Sequence, residues 1–335
     1  MVNVKFSLFV LFAVMLLNSG CSDKSKVTAD HHVHLRSDAA TEALQTIQEA
    51  LGEQLPADIP KEVTADDLIV AMDSAGVGHA SLLSVGYFFA MPDVEFEDEQ
   101  TSVREENEYV ARQAEKYPDR LVAFCSFNPL SNYAQQELEF CGESELFAGI
   151  KLHLANSDVD LRNDEHQKQL AEVFRQANNY DLSVVIHLWT RNPDFGYDDA
   201  ERFIVTVLPS AQDVPVQIAH LGGPSGFNEA TDAASSAFRD AIEEKPQLME
   251  HVYLDIAAVP LPSDQAEGDE ELEAQIHKMN RNAEVRIQEL GPERILPATD
   301  WISGSGEAYY TKFRKLPYSG EINQTLKQNV APYFE

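Results

Sequence analysis

A regular alternation of two sequence patterns constrains the fold of this chain more than any other feature. Segments with apolar residues at helical spacing, such as Leu170, Val173, Phe174 and Ala177, predict helices. Similar patterns lie at residues 65–75, 103–117, 230–242 and 272–290. Between the helices lie short apolar runs, which are typical of strands buried on both faces. The predicted strands span residues 27–35, 79–86, 120–128, 147–154, 182–188, 214–221, 252–259 and 294–300.

Eight strands that alternate with helices predict the α/β class and a (β/α)8 TIM barrel over residues 27–335, with its site at the carboxyl ends of the strands. An open, doubly wound sheet is the main alternative, but no GxGxxG motif follows the first strand. Two long segments, residues 87–101 and 260–271, follow strands two and seven. Both would lie at that same end of the barrel, as pocket walls or as ordinary surface loops.

The amino-terminal residues predict export. Residues 1–20 read as a lipoprotein signal peptide with a lysine, the apolar run FSLFVLFAVMLL and small residues, and the run is short for a membrane span. Cys21 resembles the lipidated first residue of a bacterial lipoprotein, although Asn18 stands where that site usually has leucine. Residues 21–26 would form the lipidated tether, and Ser22 is typical of sorting to the outer membrane, facing the periplasm. An ordinary signal peptide or an uncleaved anchor is the alternative.

Composition and cysteine spacing exclude some partners. The formal charge is −31, and nucleic-acid phosphates require a basic face, so no nucleic-acid partner is expected. The sequence contains no CxxC motif, so it does not indicate a zinc site with thiolate ligands. An oxidising compartment would permit a disulfide between Cys125 and Cys141, but their places in a strand and in the next helix favour two separate buried thiols.

The stretch DHHVHL, residues 30–35, concentrates three of the ten histidines. Side chains alternate along a strand, so Asp30, His32 and His34 share the inner face of the barrel and His31 points the other way. Other polar residues stand near the carboxyl ends of later strands: Lys151, His153, His187, His220 and Asp300.

One buried histidine is more often a satisfied core residue than a metal ligand. Here four histidines and an aspartate from several strands meet at one rim, where unpaired polar groups would cost free energy. Imidazole nitrogen and carboxylate oxygen are suitable ligands for zinc and its neighbours. The pattern therefore predicts a divalent cation at this rim.

The ordered motifs DHHVH, GIKLH, VVIHL, AHLGG and ATD resemble the amidohydrolase superfamily. More closely they resemble its amidohydrolase-related branch, with aminocarboxymuconate-semialdehyde decarboxylase, resorcylate decarboxylases and metal-dependent lactone hydrolases. The resemblance extends over residues 27–300. It implies that Asp30 braces the first strand and that His220 orients or deprotonates a water. It also implies a single metal with four ligands: His32, His34, His187 and Asp300.

The resemblance leaves the metal and the substrate contacts open. Zinc is the expected metal, manganese and iron(II) suit the same ligands, and a second metal on a carboxylated Lys151 is a lesser alternative. Lys151 and His153 are expected to contact substrate, with a structural ion pair as the alternative for Lys151. Arg36 and Arg191 follow strands one and five and could clamp a substrate carboxylate, or they could be solvated surface residues. Such relatives are often homodimers.

These features predict a metal-dependent hydrolase that uses a metal-activated water on an ester, lactone or amide bond of a small acidic or aromatic substrate. Asp300 and His220 would assist deprotonation, and Asp300 would pass the proton to the leaving group. A decarboxylase with the same ligands is the main alternative, and a non-catalytic, ligand-binding surface lipoprotein is an alternative of another class. A polymerase-and-histidinol-phosphatase-type phosphoesterase also begins with HxH, but it would normally need more ligands and metals.

Overall fold

The chain folds into a barrel of eight parallel strands in a computed structural model that describes residues 28–52, 62–261, 266, 268–301, 310, 313 and 315–334. Each strand pairs with its neighbours in sequence order, and Val33 pairs with Trp301 where the sheet closes. The prediction of a TIM barrel is confirmed. The strands are β1 Ala29–Val33, β2 His79–Leu83, β3 Leu121–Ser126, β4 Phe147–His153, β5 Ser183–His187, β6 Val216–Ile218, β7 Val252–Asp255 and β8 Ile295–Leu296.

Helices connect the strands around the outside of the barrel. Local sequence sets their ends: Thr64 and Asp67 form a capping box before α2, and Gly76 ends that helix in the left-handed conformation. All five predicted helices are present, as α2, α3, α5, α7 and α8, although α3 ends at Glu115, two residues before the predicted end. The α-helices of the described residues are α1 Asp38–Ala50, α2 Ala65–Ala75, α3 Glu99–Glu115, α4 Ala134–Glu143, α5 Asp164–Asn179, α6 Tyr197–Thr206, α7 Glu229–Glu244, α8 Glu270–Leu290 and α9 Gly320–Leu326.

Several strands are shorter than the apolar runs that predicted them. β8 keeps two residues because the chain soon leaves extended geometry, with Asp300 at a φ of 58°. β6 ends at Ile218 for the same reason, since His220 and Leu221 both have left-handed backbone. The shortening therefore occurs where the chain turns at the carboxyl end of the barrel.

The C-terminal segment, which comprises residues 331–334, packs against the inside of the barrel from the amino ends of the strands. Leu83, Phe124 and Val185 form a buried apolar cluster, and Tyr333 packs against it. The ring of Phe334 lies 5.6 Å from that of His79, the first residue of β2. Apolar contacts thus fill the part of the barrel that lies away from the carboxyl ends of the strands.

Cys125 of β3 and Cys141 of α4 form a disulfide, with their Cα atoms 6.4 Å apart. The prediction of two separate thiols is therefore wrong. Phe124 packs in the apolar cluster, so alternation turns Cys125 outward, and α4 buries Cys141 among its inward residues. Sequence periodicity assigns each cysteine to its element but does not fix where the helix crosses the strand.

Some predictions fall on parts of the chain that the structure describes only partly or not at all. The signal peptide of residues 1–20, the lipidated Cys21 and the tether to residue 26 lie outside the described residues. Residues 260–271 are described in part. Within the described ranges, no helix is both long and apolar enough to cross a membrane.

Candidate metal centre and active site

Three of the predicted ligands meet at one point at the carboxyl end of β1. The Nε2 atoms of His32 and His34 lie 3.1 Å apart, and Asp300 Oδ1 lies 3.5 Å from the first and 3.6 Å from the second. All three donor atoms fall within 4.8 Å of one another. This spacing suits donors that surround a single cation.

Main-chain acceptors determine which ring nitrogen of two histidines faces this point. Nδ1 of His34 lies 2.8 Å from the carbonyl of Leu83, and Nδ1 of His220 lies 2.7 Å from the carbonyl of Ala257. A carbonyl can only accept, so each Nδ1 carries the proton and each Nε2 keeps its lone pair. Metal-ligating histidines are oriented by hydrogen bonds of this kind.

Asp255, at the end of β7, is a site residue that the sequence analysis missed. Its buried carboxylate accepts four N–H groups: His32 Nδ1 at 3.0 Å, Gln217 Nε2 at 2.7 Å, and the amides of His220 at 2.9 Å and Ala257 at 3.0 Å. A carboxylate has about four acceptor sites, so these contacts saturate it. The signal was present in VYLD, where an apolar strand ends on an acid at the rim that carries the histidines.

His187 and His153 lie beside the group of three. Their rings stack with centroids 4.0 Å apart, and the ring of His187 lies 4.7 Å from that of His220. Nε2 of His187 is buried and has no hydrogen-bond partner among the residues that the structure describes. A buried nitrogen without a partner is unfavourable unless a ligand satisfies it. His187 therefore fits the fourth ligand position, although it is not part of the compact group.

Burial keeps the candidate nitrogen ligands uncharged. Desolvation lowers the pKa of His34 to about 4 and holds the pKa values of His32 and His187 well below the usual histidine range. Burial would raise the pKa of Asp300, but the neighbouring histidines and Lys151 outweigh it and hold this pKa below its usual value. The site therefore offers neutral imidazoles and one carboxylate anion, a donor set that fits a divalent cation.

Lys151 is a further polar residue next to the candidate metal ligands. Its side chain is buried, and Nζ lies 3.3 Å from His32 Nε2. Desolvation lowers the pKa of Lys151 to about 8, against the opposing effect of Asp255 and Asp300. A buried amine in this position can bind an anionic group next to the ligand set.

Two of the site residues have backbone conformations that cost free energy. His220 has a φ of 56° and Asp300 a φ of 58°, and left-handed backbone costs a residue with a Cβ about 1 kcal/mol. The surrounding hydrogen bonds compensate, because the amide of Asp300 donates to the carbonyl of His32 at 2.9 Å and the amide of His220 donates to Asp255. Strain that persists in this way is typical of functional positions.

A cavity of about 290 Å³ lies over the candidate metal ligands. Its floor includes Lys151, His153 and the candidate ligands, and its size is near the lower end of small-molecule sites. Residues of α1, the residue that follows this helix and residues of the segment after β2 supply its apolar wall. These wall residues are Leu44, Ile47, Leu51, Tyr87, Phe88 and Met91.

A buried polar network holds the aromatic part of this wall. Asn107 Oδ1 accepts from the hydroxyl of Ser84 and from the amide of Ser126, both at 2.7 Å. The Ser126 hydroxyl accepts from the amide of Tyr87 at 3.2 Å. A Cβ at Gly86 would lie 2.9 Å from the Ser126 carbonyl, so the close approach requires glycine. The wall is therefore fixed by the fold, with the Tyr87 ring 5.1 Å from that of His153.

The two arginines predicted to clamp substrate are not among the described residues that line the cavity. Arg36 is fully buried and donates Nε to the Thr41 hydroxyl at 3.0 Å. Arg191 donates Nε to the carbonyl of Ala155 at 2.7 Å and forms a two-pronged ion pair with Asp93. Both guanidinium groups are thus engaged with the protein, and the expected clamp has no geometric support.

His31 and Asp30 have structural contacts. His31 Nδ1 lies 2.8 Å from the carbonyl of Pro297, and its Nε2 accepts the amide of Ala331 at 3.1 Å. Asp30 accepts the Thr299 hydroxyl at 2.6 Å and the Thr299 amide at 3.0 Å, which ties β1 to the segment after β8. Neither side chain lines the cavity, and the contacts of Asp30 are in keeping with the expectation that it braces the first strand. The expectation that His31 points away from the inner face is not confirmed, because the register of β1 shifts between Asp30 and Val33 and His31 contacts the C-terminal segment.

Several solved structures share this fold. A 5-carboxyvanillate decarboxylase from Sphingomonas paucimobilis is 16% identical, with a TM-score of 0.59 over 90% of this chain and 96% of that chain. Its counterpart from Novosphingobium aromaticivorans, with bound manganese, is 14% identical with a TM-score of 0.59 over 93% and 98%. A dihydroxybenzoic acid decarboxylase from Polaromonas sp. JS666, with manganese and 2-nitroresorcinol, is 16% identical with a TM-score of 0.55 over 90% and 94%. At these identities the likeness establishes the fold alone.

The family comparison reaches further than the fold. No curated protein matches the chain in sequence. The family described as Amidohydrolase, however, matches residues 29–320, a range that contains all eight strands and every candidate ligand. This match confirms the resemblance seen in the motifs at the strand ends. The chain belongs to the amidohydrolase family.

Proposed function

We propose that this protein is a single-metal hydrolase that cleaves an ester, lactone or amide bond in a small cyclic acid. The observation that carries this proposal is the position of the Asp300 carboxylate, whose Oδ1 lies 3.5 Å from His32 Nε2 and 3.6 Å from His34 Nε2. A divalent cation at these donors would polarise a carbonyl group and lower the pKa of a water. An ionised Asp300 is then placed as a base and not as an acid in the resting enzyme.

Proton transfer is assigned to Asp300 and His220. Asp300 takes a proton from the attacking water as the bond from water oxygen to carbonyl carbon forms. It returns that proton to the oxygen or nitrogen that leaves as the second bond breaks. His220 presents Nε2, because its Nδ1–H is committed to the carbonyl of Ala257, and this nitrogen accepts a hydrogen bond from the same water.

The cavity supports a small, ring-containing acid as substrate. Its volume of about 290 Å³ leaves room for one ring with short substituents. Tyr87 and Phe88 offer faces and edges for stacking, and Lys151 offers a buried positive charge for a carboxylate. His153, stacked on His187 beside Tyr87, is placed to contact the same substrate.

For the cofactor we propose one divalent cation held by His32, His34, His187 and Asp300. A donor set of three imidazoles and one carboxylate suits zinc, manganese and iron(II), and two of the similar solved structures contain manganese. We expect one metal ion for each chain in the purified protein by elemental analysis. Two ions for each chain would instead favour the binuclear arrangement with carboxylated Lys151.

Decarboxylation is the second candidate. Lys151 and His153 lie over the ligand set, where they could hold an aromatic acid and protonate the ring carbon as carbon dioxide leaves. The three solved structures described above are named as decarboxylases of 5-carboxyvanillate and of dihydroxybenzoic acid.

One experiment separates the two reactions. The metal-loaded protein is assayed in parallel against monocyclic lactones and aryl esters bearing a carboxylate, and against hydroxybenzoates with detection of carbon dioxide. Turnover of the first group that falls about 1000-fold in His220→Asn supports hydrolysis. Release of carbon dioxide from the second group, without turnover of the first, overturns it in favour of decarboxylation.

We also propose that the protein is an exported lipoprotein, anchored at Cys21 in the outer membrane and facing the periplasm. The disulfide between Cys125 and Cys141 supports this proposal, because disulfides persist in oxidising compartments. In a bacterial host, the full chain should fractionate with membranes and the Cys21→Ala variant should not. Equal fractionation of the two proteins would contradict lipidation at this residue.

A further inference from the structure

We propose that the C-terminal segment positions the metal site from the opposite end of the barrel, with Tyr333 as the positioning residue. The Tyr333 hydroxyl donates to Gln217 Oε1 at 2.6 Å. Gln217 Nε2 donates to Asp255 Oδ2 at 2.7 Å, and the same oxygen accepts from His32 Nδ1 at 3.0 Å. Three consecutive hydrogen bonds therefore join the end of the chain to a candidate ligand. This inference rests on the metal site proposed above.

The direction of these hydrogen bonds is fixed by Gln217. Its Nε2 faces two acceptors, Asp255 Oδ2 and the carbonyl of His31 at 3.0 Å. A reversed amide would place Oε1 against both of these oxygens, which would be repulsive. Oε1 therefore faces the hydroxyl of Tyr333, and that hydroxyl has to be the donor. The hydroxyl of Tyr333 thus satisfies the acceptor oxygen of the amide that supports Asp255.

The inner part of this chain of hydrogen bonds is buried. Gln217 is 1% exposed and Asp255 is 0% exposed, so water does not compete for their contacts. The ring of Tyr333 lies 5.0 Å from that of Phe124, and the nearby amide of Ala331 donates to His31. The C-terminal segment therefore contacts both the residue that precedes His32 and the amide that supports its partner Asp255.

The consequence concerns metal affinity and not contact with substrate. Without the hydroxyl of Tyr333, Gln217 Oε1 loses its partner, and the amide is held only by the two bonds that Nε2 donates, so its support of Asp255 is weaker. The ring of His32 then has to be ordered when metal binds, which lowers the affinity. Tyr333 acts through these neighbours and does not line the cavity.

The test is Tyr333→Phe in the full chain, because this change removes the hydroxyl and keeps the ring. The dissociation constants for zinc and for manganese are measured by competition with a chromophoric chelator. We expect binding about five-fold weaker, the effect of one neutral hydrogen bond. The control is Tyr318→Phe, since Tyr318 also has a buried hydroxyl, and within the described residues this hydroxyl has no hydrogen-bond partner. Its dissociation constants should equal those of the wild type.

A second variant tests the route of the effect. Gln217→Met should weaken binding at least as much as Tyr333→Phe, and adding Tyr333→Phe to it should change nothing further. Additive effects, or a Tyr333→Phe protein that binds like the control, would overturn the inference. The two possible failures can be distinguished because the readout is affinity. Wild-type protein that binds no stoichiometric metal would refute the proposed metal site itself. Normal binding by the Tyr333→Phe protein would refute only the role of Tyr333.

Discussion

Two regions of the molecule contain buried histidines from β1 and the residue that follows it, and they differ in the use of one nitrogen. In the region facing the C-terminal segment, both nitrogens of His31 are paired with main-chain groups. In the cavity region, Nδ1 of His34 is paired and its Nε2 faces His32 and Asp300. Burial lowers the pKa of His31 and of His34 alike, to about 4. Neither burial nor pKa therefore separates a structural histidine from a ligand. The difference is that Nε2 of His31 faces a main-chain amide, whereas Nε2 of His34 faces the other candidate ligands.

The largest effect expected from this comparison is loss of the metal. His34→Ala, or His32→Ala, removes a donor from the group of three and should abolish stoichiometric metal binding. His31→Ala removes no donor and should retain the metal, while leaving buried partners unsatisfied at a cost of about 2 kcal/mol in the free energy of unfolding. Elemental analysis and denaturant titration of the three variants measure both quantities. Metal loss from the His31→Ala protein under native conditions would contradict the assignment of His31 as a structural residue.

The next effect separates ligands from groups that act on protons. His220→Asn should retain the metal, and asparagine tolerates the left-handed backbone at this position. Turnover should fall about 1000-fold, because a group that acts in proton transfer is lost. The measurement is kcat against a substrate from the hydrolysis panel, with metal content determined on the same sample. A variant that loses its metal in proportion to activity would make His220 a ligand instead.

A smaller effect on metal binding is expected from a change in Asp255, whose carboxylate accepts a hydrogen bond from His32. Asp255→Asn keeps the shape of the side chain but weakens the contact with His32 Nδ1, so metal affinity should fall about 10- to 100-fold. The matched control is Glu106→Gln, another buried acid, whose carboxylate accepts from Ser37. Burial raises the pKa of Glu106 to about 7, but it lies away from the ligand set and its variant should bind metal normally. Equal loss of affinity in both variants would indicate a general effect of buried charge.

Much of the fold and several site residues could be predicted because their signals are periodic. Alternation predicts that His31 is not a ligand beside His32 and His34, although the register of β1 shifts between Asp30 and Val33 and His31 contacts the C-terminal segment. Alternation also places Cys125 outward, opposite to Phe124. Eight apolar strands that alternate with helices predict a barrel, whose geometry then collects the carboxyl ends of distant strands at one rim. His187, His220 and Asp300 could be grouped by this argument alone.

The remaining features depend on contacts that periodicity does not encode. The disulfide requires the crossing position of α4 on β3, and the tyrosine at the end of the chain requires the path of the C-terminal segment. Arg191 follows a strand at the correct end, yet a neighbouring acid, Asp93, takes its guanidinium. Position at the rim was predictable, but the partner of each polar group was not.

The smallest expected effect tests this last point. Arg191 and Asp93 are each about one-third exposed, and such pairs contribute up to about 1 kcal/mol, so Arg191→Gln should change KM by no more than about five-fold. Asp93→Asn removes the same ion pair and serves as the matched variant. If the pair only links the loops, both variants should raise KM equally and leave kcat and metal content unchanged. If Arg191 instead binds the substrate carboxylate, the two variants diverge. Arg191→Gln then raises KM far more for an acid than for its uncharged amide, whereas Asp93→Asn frees the guanidinium and lowers KM for the acid.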